Sequence, residues 1–512
     1  MPISRGSGRR GDLAALLSGA ALPLAFAPFH LYPLAILAPA VMFGLWREGT
    51  PRGGAWRGWL FGLGLFGVGV SWVYVAIHDY GHTGAPLAVL LTAAFVAGLA
   101  LFPAALGGTA VALRARIGWL GAPLLLGLFP ALWLLIEWVR GWFLTGFPWL
   151  QLGYAFIDTP LAGLAPWLGV YGMTWAAALT AGALVYAWDT ARERRVAGVL
   201  VALLLLVPLW AGAWAAGLVQ WSRPLGAPLS VAVVQGNVPQ ETKWDPAQLQ
   251  ARLARYAALT RAELGRDLIV WPENSVTVFY DQVAEDFLQP LAREVRLAGG
   301  ALIAGVPVMD GDARRYYASM ANVAGPGEET AFYHKRHLVP FGEYVPLEST
   351  LRGLIAFFDL PMSGFSRGAA EQRLITAAGQ PLGVTICYED AFGEELIRAL
   401  PQATLLVNGS NNAWYGDSLA PHQHLQISRM RSLETAREAV RATTNGISAL
   451  IDQRGRLTAT SPQFETHVLT GTVQPRTGAT PYVRWGNLPT IAAAGLIVGA
   501  LWLGGAFRRK SR

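Results

Sequence analysis

A chain of 512 residues has room for several domains, and 53% hydrophobic against 14% charged residues points to a membrane-embedded portion. A single cysteine excludes an intramolecular disulfide. The formal charge of +7 gives no support to nucleic-acid binding, because the arginines of the apolar half sit in short loops and no P-loop or aromatic-basic module accompanies them.

Residues 1–220 read as a membrane domain. A bilayer core takes about 20 apolar residues per helix, and spans are expected near 11–28, 31–46, 58–78, 86–112, 118–138, 161–187 and 197–218, with an eighth at 488–507. The first two are short and share a proline-rich junction. Arg5, Arg9 and Arg10 precede the first span, Arg47, Arg52 and Arg57 follow the second, and Arg114 and Arg116 follow the fourth. Arg192, Arg194 and Arg195 follow the sixth, and Arg508, Arg509 and Lys510 the eighth. Every second connection is basic, which puts both termini in the cytoplasm and the large domain after the seventh span outside, in a bacterium the periplasm.

Three local signals in this half have competing explanations. Ala25-Phe26-Ala27 loosely matches a signal-peptide cleavage site, but seven further apolar runs make a retained helix the simpler reading. Gly62-Leu63-Gly64-Leu65-Phe66-Gly67 spells a dinucleotide-binding fingerprint inside a span with no strand before it, where close helix packing is the better account. Glu137 and Arg140, near a span end, are the few ionisable residues a transport path would need, while Trp142, Phe143, Phe147 and Trp149 beside them suggest an interfacial aromatic belt.

Residues 228–476 change character. Strands are expected at 229–235, 267–272, 301–307, 383–388, 403–408 and 447–452, and amphipathic helices at 246–264, 281–297 and 420–443. Such alternation predicts an α/β layered domain with its chemistry at the carboxyl ends of the strands. Glu273 follows Leu268-Ile269-Val270-Trp271, Lys335 follows Thr330-Ala331-Phe332-Tyr333, and Cys387 ends an apolar run.

Each of these alone has an ordinary explanation: an inert core thiol, a helix cap, a solvated lysine. Together they point to a covalent catalyst. A thiol with a free pKa of about 8.5 needs a base and a positive charge to act as a nucleophile. Glu273 supplies the base and Lys335 the charge, for the thiolate and then for the oxygen of a tetrahedral intermediate, helped by the Tyr388 N–H if the chain turns sharply there. Glu343 would orient Lys335 or shuttle a proton, and Tyr388 and Glu389 would shape the pocket. For a metal, neither His334 with His337 nor His422 with His424 is completed by a local carboxylate or second cysteine, so no metal or other cofactor is expected.

At these three segments the chain resembles the nitrilase (carbon-nitrogen hydrolase) superfamily, whose Glu-Lys-Cys triad falls on Glu273, Lys335 and Cys387. Within it, several further stretches look like the apolipoprotein N-acyltransferase family, over nearly the full length. They are Gln235-Gly236-Asn237-Val238-Pro239-Gln240, Lys243-Trp244, His337 to Glu343, Phe358 to Ser363 and Asn412-Ala413-Trp414-Tyr415-Gly416. The resemblance implies eight spans, an αββα sandwich and a bacterial inner-membrane location. It also implies a phospholipid acyl donor and, as acceptor, the α-amino group of the diacylglyceryl-cysteine that begins an apolipoprotein. It places Trp244, Glu343, Tyr388 and Glu389 among the residues needed around the triad. A monomer is expected.

Two spellings depart from the family: Glu389-Asp390-Ala391-Phe392-Gly393-Glu394 is nearer a general nitrilase, and Asn274 stands where a small residue is expected. Leu354 to Phe358 with Leu360-Pro361-Met362 reads as an apolar lid. Two other functions compete: a membrane-tethered amidase in which water resolves the thioester, and a transporter or lipid-binding scaffold with an outward sensor domain.

Overall fold

The computed structural model describes residues 5–81, 83–311, 315–325, 329–344 and 364–510. The chain divides into two units, one of Met1–Tyr74, Gly84–Val219 and Trp485–Arg512, the other of Val75–Thr83 and Gln220–Arg484. In the first, five helices are long and apolar enough to cross a membrane: Ala85–Ile117, Pro123–Arg140, Pro160–Arg192, Val196–Ala216 and Leu488–Phe507. Pro51–Gly69 with Val73–Tyr80, bent by 62°, makes a sixth if the pair is one span. The two expected spans that fall short are the ones at the proline-rich junction. Arg5–Ala21 has 17 residues and carries Arg5, Arg9, Arg10 and Asp12, and Leu34–Trp46 has only 13. The glycine-rich run lies in Pro51–Gly69 and serves packing: a Cβ on Gly64 would come within 2.3 Å of the Leu16 carbonyl oxygen, and one on Gly62 within 2.6 Å of Ala100 Cα.

In the second unit the strands are β1 Ser222–Pro224, β2 Leu229–Gln235, β3 Leu268–Val270, β4 Ala301–Asp310, β5 Arg315–Asn322, β6 Ala331–His334 and β7 Ile375–Ala377. They continue as β8 Gln380–Ile386, β9 Leu405–Ser410, β10 Ala439–Thr443, β11 Ala449–Ile451, β12 Leu457–Thr460, β13 His467–Val473 and β14 Arg476–Gly478. One six-stranded sheet runs β13-β2-β3-β4-β5-β6 and another β12-β11-β10-β9-β8-β7, while β1 pairs with β14. The strands β2-β3-β4 are parallel, as are β8-β9-β10.

Side chains two apart share a face of a strand. Val231, Val233, Leu268, Val270 and Ile303 of one sheet accordingly meet Leu382, Val384, Ile386, Leu405 and Val407 of the other in a single core. On the opposite face Ala232, Val234 and Ile269 pack against Leu253 and Tyr256 of helix Leu249–Arg261 and Leu291 and Val295 of helix Gln289–Leu297. On the far side of the second sheet Leu406, Ala439 and Ile451 meet Leu425 of helix Leu419–Thr435. Strands buried on both faces need continuous apolar runs rather than alternation, which is why β2, β3 and β9 are visible in the sequence.

The expected helix over 420–443 stops at Thr435, because Ala436 takes a left-handed φ of 51° and the chain re-enters the sheet as β10. The charge of Arg441, in the middle of that strand, hides it from an apolar pattern. β5, β12 and β13 also lie outside the expected strands, and their polar and small residues explain why.

Glu137 and Arg140 are consumed by structure. Glu137 Oε1 accepts from the Trp133 indole at 3.0 Å and the Leu152 N–H at 3.1 Å, and its Oε2 accepts from the Thr174 hydroxyl at 2.9 Å. Arg140 donates to the carbonyls of Phe147 and Trp149 at 2.6 and 2.5 Å. The segment after helix Phe129–Arg140 is thereby tied down; Trp149 is buried while Trp142 and Phe143 are exposed. A side chain engaged this fully does not lie along a transport path. Glu137→Ala would leave three buried donors unpaired at about 1–3 kcal/mol each, so the detergent-solubilised variant is expected to melt several degrees lower, with Glu137→Gln closer to the parent, as read by thermal unfolding.

Candidate active site

Glu273, Lys335 and Cys387 stand just past the carboxyl ends of β3, β6 and β8. Cys387 has a φ of 52°, and the chain turns there from β8 directly into the short helical turn Cys387–Ala391. An L residue in left-handed geometry is strained. The Glu273 turn approaches β4 so closely that a Cβ on Gly305 would lie 2.2 Å from the Pro272 carbonyl oxygen and 2.8 Å from Glu273 Cα. Asn274 follows with a φ of 45°.

The centre of the cluster is the Lys335 ammonium, whose side chain is fully buried. Its Nζ donates to Glu273 Oε1 at 3.1 Å and to Glu343 Oε1 at 2.5 Å. Burial disfavours its charge, but Glu273, Glu343 and Cys387 outweigh that and hold its pKa well above the usual lysine value. Glu343 Oε2 accepts from the Val339 N–H at 2.8 Å, and Glu273 Oε2 from the Asn411 N–H at 3.0 Å. Burial pushes Glu343 above the usual carboxylate range, with Lys335 opposing and Glu273 adding to the rise.

The Cys387 thiol is pushed up to about 12 by burial and by the carboxylate of Glu273, with Lys335 and the Asn411 N–H opposing. The resting group is therefore a thiol, not a thiolate.

Glu389 ties the lysine segment to the cysteine turn. Its Oε2 accepts from the Ile386 N–H at 2.7 Å and the Tyr333 hydroxyl at 3.0 Å, and its Oε1 from the N–H groups of Arg336 and His337 at 2.6 and 3.1 Å. It acts as a four-way clamp. Tyr388 packs edge-on to Phe392 and His337, with ring centroids 5.1 and 5.7 Å away. Trp244 joins Tyr316, Tyr344 and Phe365 around Ala318 and Leu338, and its indole N–H has no partner among the described residues.

Several contributors escaped the sequence reading. His424 Nε2 bonds the Cys387 carbonyl at 3.0 Å, while its Nδ1 faces Asn412 Nδ2 at 3.1 Å. Burial and Arg441 keep this imidazole neutral, so it donates through Nε2. Arg441 reaches Asp390 at 3.1 Å, Asn408 at 2.7 Å and Asn412 at 3.2 Å, a buried network behind the nucleophile. Lys243, quoted above only as part of a motif, donates to the Glu273 carbonyl oxygen at 3.2 Å. Asparagines and arginines with such duties carry no periodic signal. His334 bonds Ser319, and His337 pairs with Glu395. Among the described residues no group of three His, Cys, Asp or Glu is placed to hold a metal. The expected lid, Leu354 to Phe358 and Leu360 to Met362, lies outside the described residues.

Residues 230–482 match the carbon-nitrogen hydrolase family, the class to which the two-sheet unit belongs. Residues 18–183 match the apolipoprotein N-acyltransferase N-terminal domain. The chain is similar along almost its whole length to apolipoprotein N-acyltransferases: 46% identical to that of Methylococcus capsulatus, covering 95% of each chain, and 48% identical to that of Azotobacter vinelandii, covering 96% and 94%. It is 44% identical to that of Pseudomonas paraeruginosa over 100% of this chain and 99% of the relative. The chain belongs to the apolipoprotein N-acyltransferase family, and it is an enzyme.

Because the sole cysteine is held protonated, its alkylation by iodoacetamide should not inflect near the free-thiol pKa of about 8.5 but stay slow through pH 9. Stopped-time intact-mass measurements across pH 6–10 would check this, and a midpoint near 8.5 would contradict the burial described.

Proposed function

We propose that the chain is a bacterial inner-membrane enzyme with eight spans, cytoplasmic termini and a periplasmic αββα domain. It moves an acyl group from a phospholipid to the α-amino group of the diacylglyceryl-cysteine of an apolipoprotein. The domains run 1–220, 228–476 and 488–507, and the working chain is a monomer. What carries this reading is the buried Glu273–Lys335–Glu343 cluster acting on the single cysteine, in a chain whose other unit holds at least five membrane-length apolar helices.

In the first half-reaction Glu273 takes the Cys387 proton as sulfur attacks the phospholipid ester carbonyl. With two of its three N–H groups on carboxylates, Lys335 has one left among the described residues for the developing oxyanion. Glu273 then passes its proton to the departing lysophospholipid alkoxide, leaving a thioester. In the second, the acceptor amine attacks the thioester and leaves as an amide, and the thiol is restored. Ester to thioester to amide ends on the most stable acyl bond. Glu343 orients Lys335; Glu389 and Tyr388 hold the turn on which the thiol sits; Trp244, whose indole N–H has no partner among the described residues, lines the approach.

Five or six helices meeting the length criterion exceed what tethering alone requires, which favours lipid substrates over a simple amidase. Incubation with phospholipid alone should add one acyl group to the intact protein. A diacylglyceryl lipopeptide with a free α-amine should then remove it as an N-acyl product, and Cys387→Ala should abolish both events. Free fatty acid as the main product would instead favour hydrolysis, and an undiminished Cys387→Ala activity would remove the cysteine from the mechanism.

A further inference from the structure

Lys243 is a second buried lysine beside Glu273, with only 1% of its surface exposed. Its Nζ donates to the Glu273 carbonyl oxygen at 3.2 Å and to the Thr444 hydroxyl at 3.3 Å. Among the described residues no carboxylate lies within ion-pair distance of it, in contrast to the two that hold Lys335. A buried ammonium without a counter-charge is costly, whereas a neutral amine has two N–H donors and one lone pair, and two donors are what this site satisfies. The titratable and charged groups acting on it are Glu273 and Cys387, which favour the charged form, and Arg252, which opposes it. Burial dominates and brings the amine down to about 8, so that about one molecule in ten carries the uncharged, proton-accepting form at pH 7.

The reaction proposed above, on which this inference rests, has one proton to dispose of. Thiol plus ester gives thioester plus alcohol, with none left over. In the second half-reaction an acceptor arriving as α-ammonium loses two protons from nitrogen as the C–N bond forms and the C–S bond breaks. One returns to Sγ through Glu273. Lys335 is already an ammonium, and Glu343 is engaged with Lys335 and the Val339 N–H.

We propose that Lys243 is a second proton-handling residue of this site: its uncharged amine receives the other proton shed by the acceptor's α-ammonium while the thioester is being broken, and later releases it to water. The role is confined to the amine-consuming step and to charged amines. A nucleophile that arrives uncharged brings no extra proton and does not need Lys243.

The test uses the full chain in detergent, loaded with an acyl group by phospholipid, and compares two nucleophiles by intact mass: a diacylglyceryl lipopeptide with a free α-amine, and hydroxylamine, which is uncharged at neutral pH. Lys243→Met, similar in length, and Lys243→Arg, permanently charged, should both react with the lipopeptide on the order of 10-fold more slowly than the parent at pH 7, the roughly 100-fold scale of a lost proton acceptor discounted for the minority of the parent that is uncharged there. Hydroxylamine should remove the acyl group from the same preparations within a few-fold of the parent rate. Equal slowing of both nucleophiles, or of neither, would overturn the assignment. So would failure of both variants to load, since Lys243 would then be needed before the amine arrives. Failure of the parent itself to load would instead remove the acyl-enzyme reading and is distinguishable on that ground.

Discussion

The site is organised around one ammonium placed between two carboxylates in a water-poor interior. Taking three charges out of water is costly, and the expense is offset only when geometry and additional hydrogen bonds are good. Here they are: the outer oxygen of each carboxylate is held by a backbone N–H, from Asn411 for Glu273 and Val339 for Glu343. Burial, with Glu273 and Glu343 adding to it and Lys335 opposing, is why the thiol beside them stays protonated. In the proposed mechanism, proton transfer to Glu273 is accordingly coupled to attack on the ester rather than preceding it.

Holding such a cluster together requires strand ends from both sheets. Glu273 and Lys335 come from one sheet and Cys387 from the other, and the two meet through a shared apolar core. A core fixes the spacing of sheets but not the position of strand-end turns along them. Glu389 supplies that constraint by accepting four hydrogen bonds, from Ile386 of β8 and from Tyr333, Arg336 and His337 around Lys335. Behind the turn, the neutral His424 fixes the Cys387 carbonyl, and Asp390, Arg441 and Asn408 brace the strands. A left-handed cysteine persists because its surroundings over-determine it.

Much of this was legible from residue order because the relevant signals are local. β2 coincides with the expected 229–235, and Glu273 and Cys387 could be named since each ends a continuous apolar run. Periodicity failed where burial is polar. Arg441 lies at the centre of β10, so a reading based on hydrophobicity extended the preceding helix across it. The same reading drew 58–78 as one span, although the chain bends at 70–72 and Val75–Thr83 groups with the two-sheet unit, where Tyr80 meets Trp414 edge-on at 6.2 Å. Nothing in an apolar run announces that its last turn will leave it. Long-range partners such as Asn411 and His424 are equally silent, since their roles exist only once distant strands are adjacent.

Lys335 and Lys243 make the point sharpest, because they are the same residue type, equally buried, and both bonded to Glu273. One touches its carboxylate and a second carboxylate, and is fixed as an ammonium. The other touches only its backbone carbonyl and a hydroxyl, and burial draws it toward neutrality. Burial opposes the charge of both amines, and two bonded carboxylates outweigh it at Lys335 whereas at Lys243 it prevails. The proposed mechanism uses both behaviours, a charge that persists through two tetrahedral intermediates and a group able to change its protonation between them. The carboxylates that secure the first property at Lys335 oppose the second there.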